Sequence, residues 1–495
     1  MTDPLFHATI VFIEKYCHAG QKVLLALSGG PDSLALFHLL LQYANDNPLF
    51  SFAVAHVDHG WRKESAGEAK SIEQLCKDLS VPFHLKTLPK IYHNRPQNSK
   101  FEADRGITIR GNLEAYCREE RLAFFANLCL EHKYQGVMLA HHADDVAETV
   151  LKRVLEGVTL PYLCGLRPET AIFKIGKLTY DYPVKLWRPL LQVGKKEIEN
   201  WLASKNLKGF HDVTNFDPKF MRGRLRTKII PGLKDTFGKD IASSLCRLSD
   251  ESVELRDYFD EKLAGFASKI EWGPIGSYLD LSEERPSLKL EIKYLLRRFC
   301  ELSELPLTFA GLHNATELFI SGQANKRVSF GKKYLHIDRY RLFVPHDHLL
   351  SLSAMTLPLK FHIEPGSNQR NDEGTNRSFC FGNWTVDIKR KEKTDTENIS
   401  CWKRLWTNTC AMQLPFGQYE MIFPQSDQKM VCGSLLFKWY RENRVPSFLR
   451  MHVPVICRNG EVCLEFLTGT EKKFSKINEA QVICLSFCKK SIEGE

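Results

Sequence analysis

The 495-residue sequence contains no Cys-x-x-Cys pair, although it has fifteen cysteines. An odd number of scattered cysteines is typical of reduced thiols, and the missing pair argues against a structural zinc site or an iron–sulfur cluster. The sequence also lacks an apolar run long enough to span a bilayer. Its first residues include Asp3 and lack the basic segment of a signal peptide. We therefore expect a cytoplasmic protein with no membrane partner.

The length and charge of the chain set broad limits on its class. A chain of this size with 43% hydrophobic residues can bury more than one core, which predicts several domains. The net charge of +9 is compatible with a nucleic-acid or other polyanionic partner, but many basic proteins bind no nucleic acid. Charge alone therefore leaves the partner open.

Apolar strand patterns alternate with helical patterns up to about residue 233. Near-continuous apolar strands with helices between them indicate a parallel sheet covered on both faces, so we predict an α/β, Rossmann-like domain. The predicted strands are Val23–Leu27, Phe52–Val57, Val81–Leu85 and Gly136–Ala140. The predicted helices are Leu34–Tyr43, Ala66–Leu79 and Glu114–His132.

The rest of the chain divides into three parts by its pattern. Residues 234–350 are predicted to be mainly helical, with strand-like patterns towards their end. Residues 351–380 include a polar stretch rich in glycine and asparagine, which predicts a linker or long loop. Residues 381–495 alternate short apolar runs with turns, which indicates a small β-rich domain. The predicted domains are thus 1–233, 234–350 and 381–495, joined by 351–380.

The stretch KVLLALSGGPDSLALFHLL, from Lys22 to Leu40, interrupts an apolar strand with a glycine-rich corner that precedes a helix. Glycine lets a ligand approach the backbone, proline suits the first helical turn, and the N–H groups at a helix N-terminus bind anions. The corner lacks the lysine of a Walker A loop, G-x-x-x-x-G-K-[ST]. A tight turn without a ligand is the alternative. We predict a phosphate site formed by Ser28, Gly29, Gly30, Pro31, Asp32 and Ser33.

Later strand ends should lie near this corner, because parallel strands end at the same sheet edge. HVDHG contributes Asp58 there, and His56 is expected to be structural. LAHHADDVAETVLKRVLEG forms a helix with one polar face, made by His141, Asp145, Glu148 and Lys152. A carboxylate beside phosphates is repelled by them unless a cation lies between, so Asp32 is expected to be either a metal ligand or a helix cap. Histidine with carboxylates suits Mg²⁺ and proton transfer, although a metal-dependent hydrolase would show similar residues.

Basic residues cluster in two further segments. GNLEAYCREERLAFF places Glu114, Arg118 and Arg121 on one helix face, and a surface ladder of ion pairs is the alternative. A second segment, FMRGRLRTKIIP, carries alternating basic residues that suit a phosphate backbone or a solvated face. Its basic residues are Arg222, Arg224, Arg226 and Lys228.

SGGPDS resembles the SGGxDS signature of the PP-loop ATP pyrophosphatases, in which the loop binds the pyrophosphate of ATP. This segment is followed, in this order, by HVDHG, NLEAYCREERLAFF, AHHADDVAETVLKR, RPLL and DVTNFDPKFMRGRLRTKIIP. Together the segments resemble the tRNA(Ile)-lysidine synthase branch of that superfamily. LFKWYRENRVPSFLRMHVPVICRNGEV, Leu436–Val462, resembles the C-terminal substrate-binding domain of the long form. The sequence departs from the family pattern at Gly223, often asparagine, and at Leu122, commonly tyrosine. These departures concern tRNA contacts more than the chemistry.

The resemblance implies that ATP and Mg²⁺ activate the wobble cytidine of isoleucine tRNA with a CAU anticodon as an adenylate, and that free L-lysine then displaces AMP. By this resemblance Asp32 and Asp145 hold Mg²⁺, His141 transfers protons and Arg118 stabilises the adenylated intermediate. The implied tRNA contacts are Arg222, Arg224, Arg226, Lys438, Arg441 and Arg444, with Arg450 beside them. The family also allows a homodimer.

Three other functions fit parts of the sequence. A tRNA thiolase of the same superfamily would use paired cysteines, and an amidotransferase-like ligase would need a glutaminase partner; the sequence supplies neither. A tRNA-binding protein with a decayed ATP site would not need its acidic residues and histidine intact. Those residues are Asp32, His141, Asp144 and Asp145.

Overall fold

The computed structural model describes residues 3–18, 20–60, 65–89, 91–93, 107–109, 113–175, 178–209, 221–350, 357–363, 377–390, 402–407, 410–468 and 480–487. The chain divides by its packing into two compact units, Met1–Asp257 and Tyr258–Glu495. The functional boundaries expected near residues 233, 350 and 380 stay predictions.

The strands of the first unit are β1 Lys22–Ala26, β2 Ser51–Asp58, β3 Phe83–Thr87, β4 Ile91–His93, β5 Ile107–Ile109, β6 Val137–Met138, β7 Glu169–Ile175 and β8 Leu178–Trp187. Six of them form one sheet in the order β3-β2-β1-β6-β8-β7, and β4 pairs with β5 separately. Neighbours in the large sheet are parallel except for β7, which is antiparallel to β8. The predicted parallel sheet is confirmed.

The helices that begin in the first unit are α1 Pro4–Tyr16, α2 Pro31–Asp46, α3 Ser65–Asp78, α4 Leu113–His132, α5 Ala143–Leu155, α6 Lys195–Ser204, α7 Met221–Arg224, α8 Ile230–Phe237 and α9 Ile241–Lys262. A 3₁₀ turn forms at Leu160–Tyr162, and a π-helical turn at Leu225–Ile229. Leu36 of α2 and Ile198 of α6 pack in the core on one sheet face, and Phe125 of α4 packs on the other. The two covered faces complete the predicted α/β class.

Strand β1 lies in the middle of the sheet because its side chains are apolar on both faces. Val23, Leu24 and Leu25 are fully buried. Val23 and Leu25 join the core on the α2 side, whereas Leu24 joins the core on the α4 side. This burial on alternate faces is what a parallel strand between two helical layers requires, and it fixes where the glycine-rich corner emerges.

The hairpin of β7 and β8 was not predicted from the sequence. β7 is an edge strand, and most of its side chains are partly or fully exposed, so it has no continuous apolar run. β8 is parallel to β6 over only two residue pairs, Val137 with Leu186 and Met138 with Trp187. The hairpin extends the sheet beyond β6, which corresponds to the last strand predicted from the sequence, Gly136–Ala140.

The strands of the second unit are β9 Ile270–Gly273, β10 Gly276–Asp280, β11 Lys326–Phe330, β12 Lys333–Asp338, β13 Arg341–Pro345, β14 Leu359–Ile363, β15 Arg377–Phe381, β16 Trp384–Arg390, β17 Cys410–Pro415, β18 Gly417–Ile422, β19 Val455–Arg458, β20 Glu461–Glu465 and β21 Ala480–Phe487. They form antiparallel sheets in the orders β11-β12-β13-β10-β9, β14-β18-β19-β20 and β15-β16-β21-β17. The β-rich C-terminal part agrees with the prediction.

The helices within the second unit are α10 Ala264–Ala267, α11 Lys289–Leu302, α12 Phe309–Ile320, α13 Asp347–Leu350, α14 Trp402–Thr407 and α15 Leu436–Glu442. Residues 234–350 are therefore helical over long stretches, as expected, but they also contain a five-stranded sheet whose strands β9 and β10 were not anticipated. The segment predicted as a linker contains β14 and part of β15, and residues 364–376 of it lie outside the described residues. Among the described residues, no helix is both long and apolar enough to cross a bilayer.

Phe37 on α2 tests how firmly the core holds the helix that follows the glycine-rich corner. Its side chain is fully buried and meets Phe52 edge-on, with ring centroids 5.8 Å apart. We expect Phe37→Ala to lower the free energy of unfolding by about 3–5 kcal/mol, because it removes buried area and leaves a cavity. Urea unfolding would measure the change, and Leu49→Ala, at a 72% exposed position, should stay within about 0.5 kcal/mol of the parent. Equal effects of the two substitutions would contradict the assigned core.

Candidate active site

The glycine-rich corner lies at the C-terminal end of β1 and leads into α2. Gly29 has a φ of 86°, which favours glycine, and Gly30 is the N-cap of the helix. The Ser28 and Ser33 hydroxyls lie 3.0 Å apart, and the Ser33 hydroxyl donates to the Gly30 carbonyl at 3.0 Å. The corner therefore combines a fixed loop with the N-terminus of a 16-residue helix, which is a favourable site for phosphate.

The N-terminus of α5 brings a histidine and an aspartate to the same region as Asp32. His142 is the N-cap, and its backbone N–H donates to Asp145 Oδ2 at 3.1 Å. The His142 Nε2 atom lies 3.8 Å from Asp32 Oδ2 and 3.6 Å from Asp145 Oδ2. The two carboxylates predicted as metal ligands thus both lie within 4 Å of the same nitrogen of one buried imidazole.

The pKa of His142 is raised in spite of its burial. Burial opposes the charged form, but the Asp144 carboxylate, 3.5 Å from Nδ1, and the charges of Asp145 and Asp32 raise the pKa of His142 above its usual value. The same contact with His142 lowers the pKa of Asp144 to about 2, with help from the Lys195 backbone N–H. The acidic cluster therefore favours the protonated form of His142 more than water does.

Two arginines close the cluster on the side of Glu148, whose side chain is only 2% exposed. Arg222 Nε donates to Glu148 Oε2 at 3.0 Å, and Arg226 Nε donates to Glu148 Oε1 at 2.6 Å. Arg226 Nη2 also donates to Asp145 Oδ1 at 3.1 Å. The charges of Glu148 and Asp145 raise the pKa of Arg226, although burial acts in the opposite direction. These two predicted tRNA contacts are thus paired with carboxylates of the site.

The remaining predicted residues of the first unit lie around this cluster. Burial lowers the pKa of His141 to about 4, so its imidazole is neutral at neutral pH. Burial and then the charge of Arg118 lower the pKa of Arg188 to about 10, which indicates that the two guanidinium groups are near each other. Arg224 is exposed, and one of its Nη atoms lies 3.9 Å from Met221 Sδ.

His56 has a structural role, as expected from the sequence. Its Nδ1 atom lies 2.8 Å from the Leu27 carbonyl, and the side chain is buried between the ends of β1 and β2. Asp58 accepts a hydrogen bond from the Gly60 N–H at 2.8 Å and shapes the turn after β2. Both residues support the sheet edge at which the corner emerges.

The predicted tRNA contacts of the second unit lie on and after α15. Lys438, Arg441 and Arg444 are exposed, and Lys438 lies 3.9 Å from Glu442. Arg450 differs from the expectation, because it is buried and donates two hydrogen bonds to the Val445 carbonyl, at 3.0 and 2.7 Å. A guanidinium occupied in this way supports the chain turn and does not present its charge to a partner.

Sequence reasoning missed three residues that help to build the site: His142, Arg188 and Lys195. Glu148 was placed on a polar helix face, but its burial was not foreseen. The Lys195 ammonium contacts Asp32 Oδ1 at 2.5 Å, across 163 residues of sequence. A sequence pattern offers no signal for such a pairing. Only the N-cap geometry of α5 distinguishes the position of His142 from that of the adjacent His141.

The parallel sheet with its helix-capped glycine corner defines an ATP-binding α/β domain, and residues 7–233 match a family model described as a PP-loop domain. The chain is 36% identical over 464 residues to the tRNA(Ile)-lysidine synthase of Protochlamydia amoebophila, covering 93% of this chain and 92% of that protein. It is 36% identical over 279 residues to the enzyme of the same name from Chlamydia muridarum, covering 56% of this chain and 78% of that protein. The chain belongs to the tRNA(Ile)-lysidine synthase family, which confirms the predicted class of ATP-using ligase.

Among solved structures, the fold is similar to a U34-tRNA thiolase from Methanococcus maripaludis. The two chains are 18% identical, with a TM-score of 0.38, and the match covers 50% of this chain and 79% of the thiolase.

Gly209 tests the packing behind the phosphate corner. A Cβ atom at this position would lie 2.7 Å from the Pro31 nitrogen and 2.8 Å from its Cα, so the corner would have to move. We expect Gly209→Ala to lower kcat/KM for ATP by roughly 100-fold, as small displacements in a reacting geometry do. Steady-state kinetics would measure the loss. Gly67→Ala, which has open space around its Cβ in α3, should retain parental kinetics. Parental kinetics in both variants would be incompatible with the described contact.

Glu148 tests the arginine–carboxylate cluster. In Glu148→Gln, Arg222 and Arg226 lose a buried countercharge. Because the two arginine side chains are partly exposed, we expect the free energy of unfolding to fall by about 2 kcal/mol, less than for a fully enclosed ion pair. Urea unfolding of Glu156→Gln supplies the comparison. The Lys152–Glu156 pair lies on the same helix, 3.7 Å apart and half exposed, and should contribute less than about 1 kcal/mol. Indistinguishable midpoints for the two variants would show that the buried cluster adds no stability.

Proposed function

We propose that the chain joins free L-lysine to C2 of the wobble cytidine in isoleucine tRNA with a CAU anticodon, converting ATP to AMP and pyrophosphate. The observation that carries the proposal is the helix-capped SGGPDS corner, which faces the acidic and histidine-bearing N-terminus of α5 in a chain of this family. A phosphate-binding corner and a proton-transfer cluster at one sheet edge suit the activation of one substrate and the attack of another.

The reaction needs activation because oxygen is a poor leaving group from cytosine C2. If cytosine O2 attacks the α-phosphorus of ATP, pyrophosphate departs and the oxygen becomes part of an adenylate. The neutral ε-amine of lysine can then attack C2, and AMP leaves with that oxygen. The chain must therefore hold a pyrophosphate group, orient the cytosine and accept a proton from the amine.

We assign the pyrophosphate to the corner formed by Ser28, Gly29, Gly30, Pro31 and Ser33. Gly29 has the positive φ that opens the backbone, and the hydroxyls of Ser28 and Ser33 lie 3.0 Å apart. The α2 N-terminus adds a partial positive charge directed at the same place. These groups would orient the phosphates of ATP so that the bond between the α- and β-phosphates is exposed to attack.

Asp32 and Asp145 are the proposed Mg²⁺ ligands. Each has an oxygen within 4 Å of the same His142 nitrogen, so both carboxylates face one small volume. Within the described ranges no group of three or more acidic, histidine or cysteine side chains forms a metal site, but Mg²⁺ commonly takes one or two carboxylates together with phosphate oxygens. The residues therefore fit the ion. When bound, Mg²⁺ would neutralise charge that builds on the departing pyrophosphate.

His141 is the proposed proton acceptor, and Arg118 the proposed partner of the adenylate. A base must be unprotonated to act, and the lowered pKa of His141 keeps it neutral, although it also makes the imidazole a weak base. Arg118 is exposed on α4 and lies near the buried Arg188. A guanidinium in this position suits the phosphate of an adenylated base.

The tRNA is the proposed macromolecular partner, and the net charge of +9 favours it. Exposed Lys438, Arg441 and Arg444 are proposed contacts, and so is exposed Arg224. Arg222 and Arg226 are proposed contacts that would have to share their charge with Glu148 and Asp145. The wobble base must leave its stack to be adenylated. Location in the cytoplasm and formation of a homodimer stay predictions.

The test is incorporation of radiolabelled lysine into a transcript of isoleucine tRNA with a CAU anticodon, in the presence of ATP and Mg²⁺. A transcript that differs only by uridine at the wobble position is the control. We expect label in the first transcript alone, because only cytidine offers the C2 oxygen together with the 4-amino group. Label in neither transcript, with ATP binding intact, would contradict the proposal, and sulfur incorporation would then identify a thiolase.

A further inference from the structure

Lys195 contacts the phosphate corner from a distant part of the sequence. It is the first residue of α6, after the N-cap Gly194. Its ammonium lies 2.5 Å from Asp32 Oδ1, and its backbone N–H donates to Asp144 Oδ2 at 2.9 Å. The Ala143 N–H donates to the Val193 carbonyl at 2.9 Å, which joins the start of α5 to the turn before α6. The lysine is thus held between the two helix N-termini that build the site.

A lysine at this position is unfavourable for the helix itself. The N-terminus of a helix carries a partial positive charge, which favours acidic residues in the first turn and disfavours basic ones. Glu197 caps the same turn, because its carboxylate accepts a hydrogen bond from the Gly194 N–H at 3.0 Å. The Lys195 ammonium instead contacts Asp32 Oδ1, at the start of α2. Its placement therefore benefits the corner and not α6.

We propose that Lys195 supplies the phosphate-binding ammonium that the SGGPDS corner lacks. Its side chain is 29% exposed, so the ammonium can contact Asp32 and a ligand at the same time. A Walker A lysine comes from the loop itself, whereas this one comes from the N-terminus of α6. The inference rests on the proposed function, in which the corner holds the departing pyrophosphate.

The expected role follows from charge. Negative charge increases on the pyrophosphate as its bond to the α-phosphorus breaks, and a fixed cation stabilises that state more than bound ATP. The other ionisable groups near this place are Asp32, Asp144, Asp145 and His142, with Arg226 close enough to sense the charge of Asp32. Asp32 would repel the phosphates if it were unpaired. Lys195 both removes this repulsion and adds an attraction.

The experiment compares Lys195→Ala with Lys195→Arg and Lys196→Ala in the full-length chain. Lys196 is the next residue of α6, is exposed and lies outside the site, so it is a matched control. We expect Lys195→Ala to lower kcat for lysine incorporation by roughly 100-fold, the size seen when one preorganised transition-state donor is lost. Lys195→Arg should recover most of this activity, and Lys196→Ala should be unchanged. A decrease of less than threefold in Lys195→Ala would overturn the proposal.

A second measurement separates phosphate binding from a structural role. Isothermal titration calorimetry with inorganic pyrophosphate and Mg²⁺ should show at least tenfold weaker binding to Lys195→Ala than to the parent or to Lys196→Ala. The urea unfolding midpoints of the three proteins should be similar, so that a loss of stability does not explain the weaker binding. Equal pyrophosphate affinities would show that Lys195 only supports Asp32. If the parent binds pyrophosphate through Lys195 but incorporates no lysine, the proposed function fails and the phosphate role of Lys195 stands.

Discussion

Neutralisation of charge at one edge of the parallel sheet is the constraint on which the site depends. The carboxylates belong to Asp32, Asp144, Asp145 and Glu148, and their basic partners are His142, Lys195, Arg222 and Arg226. Like charges this close and this poorly solvated would repel strongly if left unpaired. The pairing requires α2, α5, α6 and the basic segment after residue 220 to meet at that edge. The architecture of the first unit therefore serves to bring these chain segments together.

The central part of the fold could be predicted because its signal is local and redundant. Val23, Leu24 and Leu25 are apolar on both faces, the glycines follow at once, and the next helix begins with a proline. The hairpin of β7 and β8 could not be predicted in the same way. An edge strand buries little, so its residues are not constrained to be apolar, and its place in the sheet is fixed by partners far away in sequence.

The site was predictable to the extent that its residues follow strand ends. Asp32 and Asp145 were found by this rule, because parallel strands bring their C-terminal ends together. Lys195 was not, since its contact with Asp32 joins distant parts of the sequence. Glu148 was placed on the polar helix face, but its pairing with two arginines is identified only by the folded chain. Arg450 shows the converse, since a basic residue in a basic segment is buried against the Val445 carbonyl.

The adjacent histidines show how position divides two chemical roles that sequence cannot separate. His142 is the N-cap of α5, and its ring lies within 4 Å of three carboxylates, so its pKa is raised although burial acts in the opposite direction. His141 is partly buried, and burial together with nearby arginines outweighs the charge of Asp145, so its pKa falls to about 4. The two neighbouring imidazoles therefore differ in the direction of their pKa shift, which favours the protonated form of His142 and the neutral form of His141. In the proposed mechanism the neutral His141 is the one that would accept the proton of the lysine amine, beside a histidine that would balance the charge of the carboxylates.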